Sequence, residues 1–383
     1  MNLRDIWITG VAETPLGVVT DQSELSMVAG AARTALAEAG LTLRDVDGLF
    51  VNYMGEEGSV QVAEYLGITP KWSDSTDLGG AAFEAQVLKA MAALSAGLID
   101  VALITYASRQ RSRRLRPRIE DLPLTGTPLM HLLEHPTGLP VPLGRYALIA
   151  ARHMHDYGTT EEQLAEIAVA ARSWAALNPK AFKRDPLSVA DVMHSPRLCN
   201  PLKVLDCCLV TDGGGALVLT RGDRARDAAK PAVRVLGAAE GISHWHIAQM
   251  RDLTVSPGAQ SGPRAFAMAG ITPGDVDVLQ PYDSFTITVL LALEDLGFCA
   301  KGEGGAFVQG GRLAPGGALP AMTSGGGLSY CHPGALGLLL LIEAVRQLRG
   351  DCGDRQVADA RIAVAHGVGG FMSTAGTVVL AHD

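Results

Sequence analysis

An eleven-residue stretch occurs twice in this chain: Ala39-Gly-Leu-Thr-Leu-Arg-Asp-Val-Asp-Gly-Leu49 returns 230 positions later as Ala269-Gly-Ile-Thr-Pro-Gly-Asp-Val-Asp-Val-Leu279. In both copies an Ala-rich helical stretch closes at the glycine, a capping turn follows, and Asp-Val-Asp leads into an apolar strand. One recurring turn could be coincidence, but the order of elements around it recurs too, which argues for duplication. At 383 residues and 48% hydrophobic, the chain is long enough for two such halves around a large core. The halves are expected to divide at residue 222, as 1–222 and 223–383.

Apolar periodicity predicts, in the first half, a strand at 6–11, a helix at 25–39, a strand at 48–52, a helix at 81–96 and a strand at 101–106. In the second half it predicts a strand at 232–238, a helix at 264–269, a strand at 276–280, helices at 285–296 and 335–348, and strands at 362–365 and 377–380. Helices alternating with short apolar strands place the chain in the α/β class with largely buried sheets. Between residues 107 and about 203 the pattern breaks into an insertion rich in Arg, Pro and His, followed by helices near 142–155 and 160–177. Its length suggests a functional cap. Arginines at 109, 111, 113, 114, 116 and 118 suit a phosphate site or a solvated or subunit-contacting face equally well.

A net charge of −8 argues against general nucleic-acid binding. The segment Met1–Trp7 has no apolar run behind positive charge, and the longest apolar runs are too short to span a bilayer, so a cytoplasmic protein is expected. The six cysteines form no Cys-x-x-Cys pair, so no metal site is expected, and none precedes Cys199.

The run Ser324-Gly-Gly-Gly-Leu-Ser-Tyr330-Cys331-His332-Pro333-Gly334 leads into an apolar helix ending near Gly350. A Gly-rich loop feeding a helix leaves backbone N–H groups free at the helix start, and His332 adds a donor for a developing oxyanion. That is acyl-thioester chemistry in outline. The string resembles the Gly-His-Pro segment of the thiolase superfamily, most closely its sterol-carrier or lipid-transfer branch. The resemblance implies a five-layered α-β-α-β-α fold, with the insertion as a loop domain over coenzyme A.

Three more segments carry the resemblance. Asp77-Leu-Gly79-Gly80-Ala-Ala-Phe83 stands where thiolases carry the nucleophilic cysteine, with Gly80 in its place. A glycine there is expected to leave room over the helix start for a larger substrate. In Gln280-Pro-Tyr282-Asp283-Ser284-Phe285, Tyr282 falls where relatives place an oxyanion-hole Asn or His, and Asp283 either orients its neighbours or caps the following helix. In Ala365-His366-Gly367-Val-Gly-Gly370, His366 replaces the cysteine that moves a proton at the substrate's α-carbon, or merely fills its space. Tyr330 is either a second phenol of the site or an exposed loop tyrosine.

Thiolase acyl transfer needs a thiolate. With the cysteine absent, the remaining parts suit retro-aldol cleavage of a β-hydroxyacyl-CoA. Tyr282 or Tyr330 would take the hydroxyl proton, His332 with amides near Gly79, Gly80 or Gly370 would hold the enolate, and Tyr330 or His366 would protonate the α-carbon. This resembles the thiolase-like aldolases of steroid side-chain degradation, which release acetyl-CoA or propionyl-CoA. The resemblance implies a homodimer joined by a separate zinc-ribbon/OB-fold subunit into a heterotetramer, with no cofactor in this chain beyond the substrate's coenzyme A. An acyltransferase with an unconventional site, or an inert acyl-CoA-binding subunit, are the alternatives.

Overall fold

Both copies of the repeated turn close on the same hydrogen bonds. The backbone N and Oγ1 of Thr42 donate to Asp45 at 2.8 and 2.9 Å, and those of Thr272 donate to Asp275 at 2.8 and 2.7 Å. Two residues on, Asp47 Oδ1 accepts from the amides of Asp100 and Val101, both at 2.9 Å. Asp277 Oδ2 accepts from Arg361 and Ile362 at 2.8 and 2.9 Å. The second aspartate of each copy therefore pins the start of a neighbouring strand. A carboxylate accepting two backbone N–H groups is among the stronger uncharged-donor arrangements available.

The computed structural model describes residues 5–52, 55, 57–113, 134–139 and 142–382. Strands β1 (Ile6–Glu13), β2 (Gly48–Val51), β3 (Trp72–Ser75), β4 (Val101–Ser108) and β7 (Gly213–Arg221) belong to the first half. The second half supplies β8 (Val233–Ile242), β9 (Val278–Pro281), β10 (Ile362–Gly369) and β11 (Thr374–Ala381), while β5 (Arg197–Cys199) and β6 (Leu202–Lys203) form a separate hairpin. The order is β3-β2-β4-β7-β1-β8-β11-β10-β9. On one side, β3, β2 and β4 run parallel and β4, β7 and β1 antiparallel; on the other, β9 and β10 run parallel and β10, β11 and β8 antiparallel. The two sets mirror each other about a short β1–β8 seam, Trp7↔Arg234 and Ile8↔Val233.

Helix α1 (Glu24–Glu38), capped by Ser23 Oγ accepting from Ser26 N, packs on β1, β4 and β7, with α2 (Gly58–Leu66) beside it. Helix α3 (Ala82–Ser95) is apolar around most of its circumference, as a helix enclosed on all sides must be. It and α11 (Gly337–Arg349) pack between strands of both halves and against each other. The insertion holds α4 (Leu143–Tyr157), α5 (Glu161–Ala176), which begins with a Thr160–Gln163 capping box, and α6 (Val189–His194). The short α7 (Gly222–Ala225) precedes β8; α8 (Gly258–Ala269) covers β8 and β11, and α9 (Thr286–Asp295) and α10 (Gly304–Phe307) lie toward the insertion. Among the described residues no helix is long and apolar enough to cross a membrane.

Several elements escape the sequence pattern, among them β7, β3 and α2. Strand β7 lies mid-sheet, but its opening Gly213-Gly-Gly reads as a turn. Strand β3 is a mostly exposed edge with no apolar run, and α2 is short. Helix α8 starts six residues before the expected 264, because Pro263 inside it reads as a break. The Gly-rich run does not open directly into α11: Gly326–Tyr330 first makes one π-helical turn.

Replacing Asp277 or Asp47 with Ala leaves two strand-start amides without their acceptor. Each variant is expected to lose about 2 kcal/mol, read as a lower urea midpoint at unchanged slope. A loss in one variant only would show that the halves do not share this lock.

Candidate active site

Tyr282 leaves the end of β9, its amide donating to the His366 carbonyl at 2.9 Å. Its phenol oxygen then meets three groups of the Gly-rich loop and the start of α11. His332 Nε2 is at 3.0 Å, the Gly334 carbonyl at 3.4 Å, and the Leu336 amide donates to the phenol at 3.3 Å. The rings stand edge to face, 5.6 Å apart at 86°. Both side chains are buried.

The loop carrying His332 is held on every side. Asp283 accepts from Gly327 N at 2.6 Å and Leu328 N at 3.0 Å. His332 N donates to Thr211 Oγ1 at 2.9 Å, and Tyr106 Oη donates to the Pro333 carbonyl at 2.8 Å. Asp283 neither caps α9 nor faces a substrate: its carboxyl is fully buried beneath the π turn and works by positioning. Burial pushes its pKa up to about 7 even with two amides donating to it.

Gly80 lies against the Tyr282 ring. A Cβ there would come 2.6 Å from Tyr282 Cζ and 2.5 Å from the Val368 carbonyl oxygen. The room expected above Gly80 is therefore filled, and the tyrosine ring fills it. Gly79 has φ +57°, and a Cβ on it would sit 2.9 Å from Gly370 N; Gly370, with φ +61°, accepts from Tyr146 Oη at 3.1 Å. Gly79, Gly80, Gly370, Tyr282 and His332 thus converge.

Tyr330 and His366 do not join this group. The Tyr330 phenol donates to Glu13, which also pairs with Arg346 and, at 2.6 Å, Lys180. Burial pushes the Glu13 carboxyl up, but the two cations overcome it and bring it down to about 2. The phenol is thereby committed to a buried ionic network. His366 points to the opposite face of β10, toward α8: Nδ1 pairs with Thr377 Oγ1 at 2.9 Å, and a Cβ on Gly258 would lie 3.1 Å from its ring. It contributes its carbonyl to Tyr282 and no side-chain atom.

The structure brings up two phenols that the sequence reading missed. Tyr146 of α4 stacks on Phe285 at 4.3 Å, and Tyr106 lies within β4; both are pushed by burial up to about 12. Neither lies in a motif, so no local signal marked them. Burial likewise holds the pKa of Tyr282 well above 10. His332 is pushed down to about 4 by burial. At neutral pH the pair is thus a protonated phenol and a neutral imidazole, an arrangement that can relay one proton without a standing charge.

A cleft of about 600 Å³ opens beside Gly334, whose carbonyl meets the Tyr282 phenol, and is lined also by Glu24, Gln61, Tyr106, Gln110 and Arg113 among others. Of the arginine cluster, Arg109 donates to the Val19 carbonyl, Arg111 to the Val210 carbonyl, and Arg113 pairs with Glu24 at 2.7 Å. Arg114, Arg116 and Arg118 lie outside the described residues. Cys331 points to Thr211 and is pushed by burial up to about 12.

Residues 239–382 match the family model for the thiolase C-terminal domain-like family. An acetyl-CoA acetyltransferase of Methanothermobacter thermautotrophicus is 33% identical over 97% of this chain and 98% of its own. The 17-hydroxy-3-oxo-4-pregnene-20-carboxyl-CoA lyase of Mycobacterium tuberculosis is 37% identical over 90% of this chain and 91% of its own. A solved structure, an Ltp2–ChsH2(DUF35) aldolase, superposes with a TM-score of 0.89 at 33% identity, covering 99% of this chain and 98% of that one.

Gly80→Cys tests whether a nucleophile can be put back. The Cβ must displace the Tyr282 ring or the Val368 carbonyl, so overpacking is expected to cost about 1–3 kcal/mol. Intact-mass measurement after incubation with acyl-CoA is expected to find no acyl adduct. A stable variant that accumulates acyl-enzyme would contradict the packing described here.

Proposed function

The chain belongs to the thiolase superfamily, and we propose that it cleaves a β-hydroxyacyl-CoA by a retro-aldol reaction run by the Tyr282–His332 pair. It is a carbon–carbon lyase acting on a CoA thioester. One observation carries the reading: at Gly80, which the resemblance sets in the place of the family's nucleophilic cysteine, the space a side chain would need is taken by Tyr282, itself paired with His332. A thiolase-type acyl transfer has no group to receive the acyl chain, which weighs against the acyltransferase alternative despite the acetyltransferase relative.

The β-hydroxyl proton passes to Tyr282 Oη while the phenol proton passes to His332 Nε2. The Cα–Cβ electron pair moves into the thioester as an enolate, and the β-carbon leaves as a ketone or aldehyde. The pair then returns the proton to Cα, giving the short acyl-CoA, so atoms and charge balance. The Leu336 amide, at the positive end of α11, stabilises negative charge on the phenol during transfer. The amide end of α3 beside Gly80 is placed to do the same for the enolate.

Both a relative and a structural neighbour carry names of lyase or aldolase chemistry, and the relative's name specifies a steroid side-chain CoA thioester. We take a substrate of that class, with acetyl-CoA or propionyl-CoA as the product. We further propose a homodimer joined through edge strand β3, where Trp72 is exposed beside Val60 and Tyr65 of α2. A separate zinc-ribbon/OB-fold subunit completes the heterotetramer; the two-component name of the structural neighbour supports it.

The deciding experiment is incubation of the purified chain, with and without such a subunit, with β-hydroxyacyl-CoAs. Carbonyl compound plus short acyl-CoA is expected. Acyl exchange with free CoA would identify an acyltransferase, and saturable binding alone an inert subunit. Tyr282→Phe keeps the ring on Gly80 and removes the relay, so kcat should fall by roughly 10²–10⁴ with the fold intact. His332→Ala should lose a factor of similar order, and on the acid side the wild-type kcat should hold until pH drops toward about 4, where the imidazole takes up a proton. Wild-type turnover by Tyr282→Phe would end the relay mechanism.

A further inference from the structure

Helix α3 carries an acid that this chemistry leaves unused. Glu84, one turn beyond Gly80, is fully buried, and neither carboxyl oxygen has a hydrogen-bond partner. Three glycines from three elements surround it. A Cβ on Gly337, the first residue of α11, would come 2.6 Å from Oε2; on Gly367 of β10, 2.6 Å from Cδ; and on Gly376 of β11, 2.5 Å from the Glu84 Cβ. The Gly337 Cβ would also collide with the Gly80 carbonyl, so the carboxyl lies directly behind the turn on which the Tyr282 ring rests.

A cage of glycines is space kept for a side chain, and this one is kept for a polar group that nothing pairs. Buried polar groups without partners are rare and costly, which makes retention at this place informative. We propose that Glu84 is a positioning residue for the cleavage: an uncharged carboxylic acid that fills the glycine cage, holds the start of α3 against Tyr282 and keeps the floor of the site free of negative charge where the enolate forms. This rests on the retro-aldol reading above. Burial raises the acid from 4.5 to about 8, so it keeps its proton at neutral pH. Glycines of α11, β10 and β11 lie against it, Glu240 of β8 is the strand neighbour opposite Gly376, and no charged side chain contributes to its shift. Across Gly80 it faces Tyr282, which is paired with His332. Ionisation of Glu84 therefore sets an unpaired charge behind Gly80, opposing both the enolate and negative charge on the phenol.

Glu84→Gln keeps the shape and cannot ionise; Glu84→Ala empties the cage. Glu84→Ala is expected to lower kcat by about tenfold or more at nearly unchanged KM, and Glu84→Gln to recover most of it. The wild-type kcat should decline above pH about 8, and Glu84→Gln should lack that limb. A second arm needs no substrate. A carboxyl raised in the folded state loses stability as pH rises from its unfolded value toward its folded one, so the thermal midpoint of Glu84→Gln relative to wild type should climb between pH 5 and about 8 and then level. Equal loss of kcat in both variants with native near-ultraviolet spectra, survival of the alkaline limb in Glu84→Gln, or a midpoint difference flat with pH would each overturn the proposal. If the wild type cleaves no β-hydroxyacyl-CoA, the functional reading fails instead, and the thermal arm alone decides for or against an uncharged Glu84.

Discussion

The contact between the Tyr282 ring and Gly80 is the constraint on which the rest of this site depends. Gly80 belongs to the turn that starts α3 in the first half, and Tyr282 to the end of β9 in the second. Close approach is possible only because one partner has no side chain. It sets the phenol within reach of His332 and of the α11 amide end, and it fills the space that a side chain at Gly80 would need. A single absent Cβ thereby changes both what is placed and what is excluded.

Around this contact the protein works with uncharged groups. Tyr282 and Glu84 are held protonated and His332 is held neutral, all chiefly by burial. Asp283 is raised by the same cause, yet it keeps two amide donors and secures the loop. Charge is concentrated elsewhere, in the Glu13–Arg346–Lys180 network that takes up Tyr330 and in the Glu134–Arg145 pair under Phe371. The separation has a physical logic: a site that must stabilise a transient enolate gains from a floor without standing negative charge, while paired ions can carry structural duty where no charge develops.

Relatives with acyltransfer and lyase names both align along nearly the whole chain, so overall similarity does not choose between the two chemistries. The local geometry does. Burial keeps negative charge from settling on Tyr282, which favours a proton passed through the phenol over one removed from it in advance.

The duplicated turn, the α/β class, most helices and strands, and the pairing of a Tyr-Asp segment with a Gly-His-Pro segment were legible in the sequence, because local periodicity and capping chemistry are written in neighbouring residues. So was the loss of the cysteine, since none precedes Cys199. Strand β7 was not legible, because its glycines signal a turn until neighbouring strands supply hydrogen bonds. Only the tertiary structure decided that Tyr330 turns to Glu13, that His366 faces α8, that Asp283 holds a loop rather than a substrate, and that three distant glycines make one cavity for Glu84. Which face of a strand a side chain takes, and how far burial shifts its proton, depend on what the other half of the chain packs against it, and no local pattern records that.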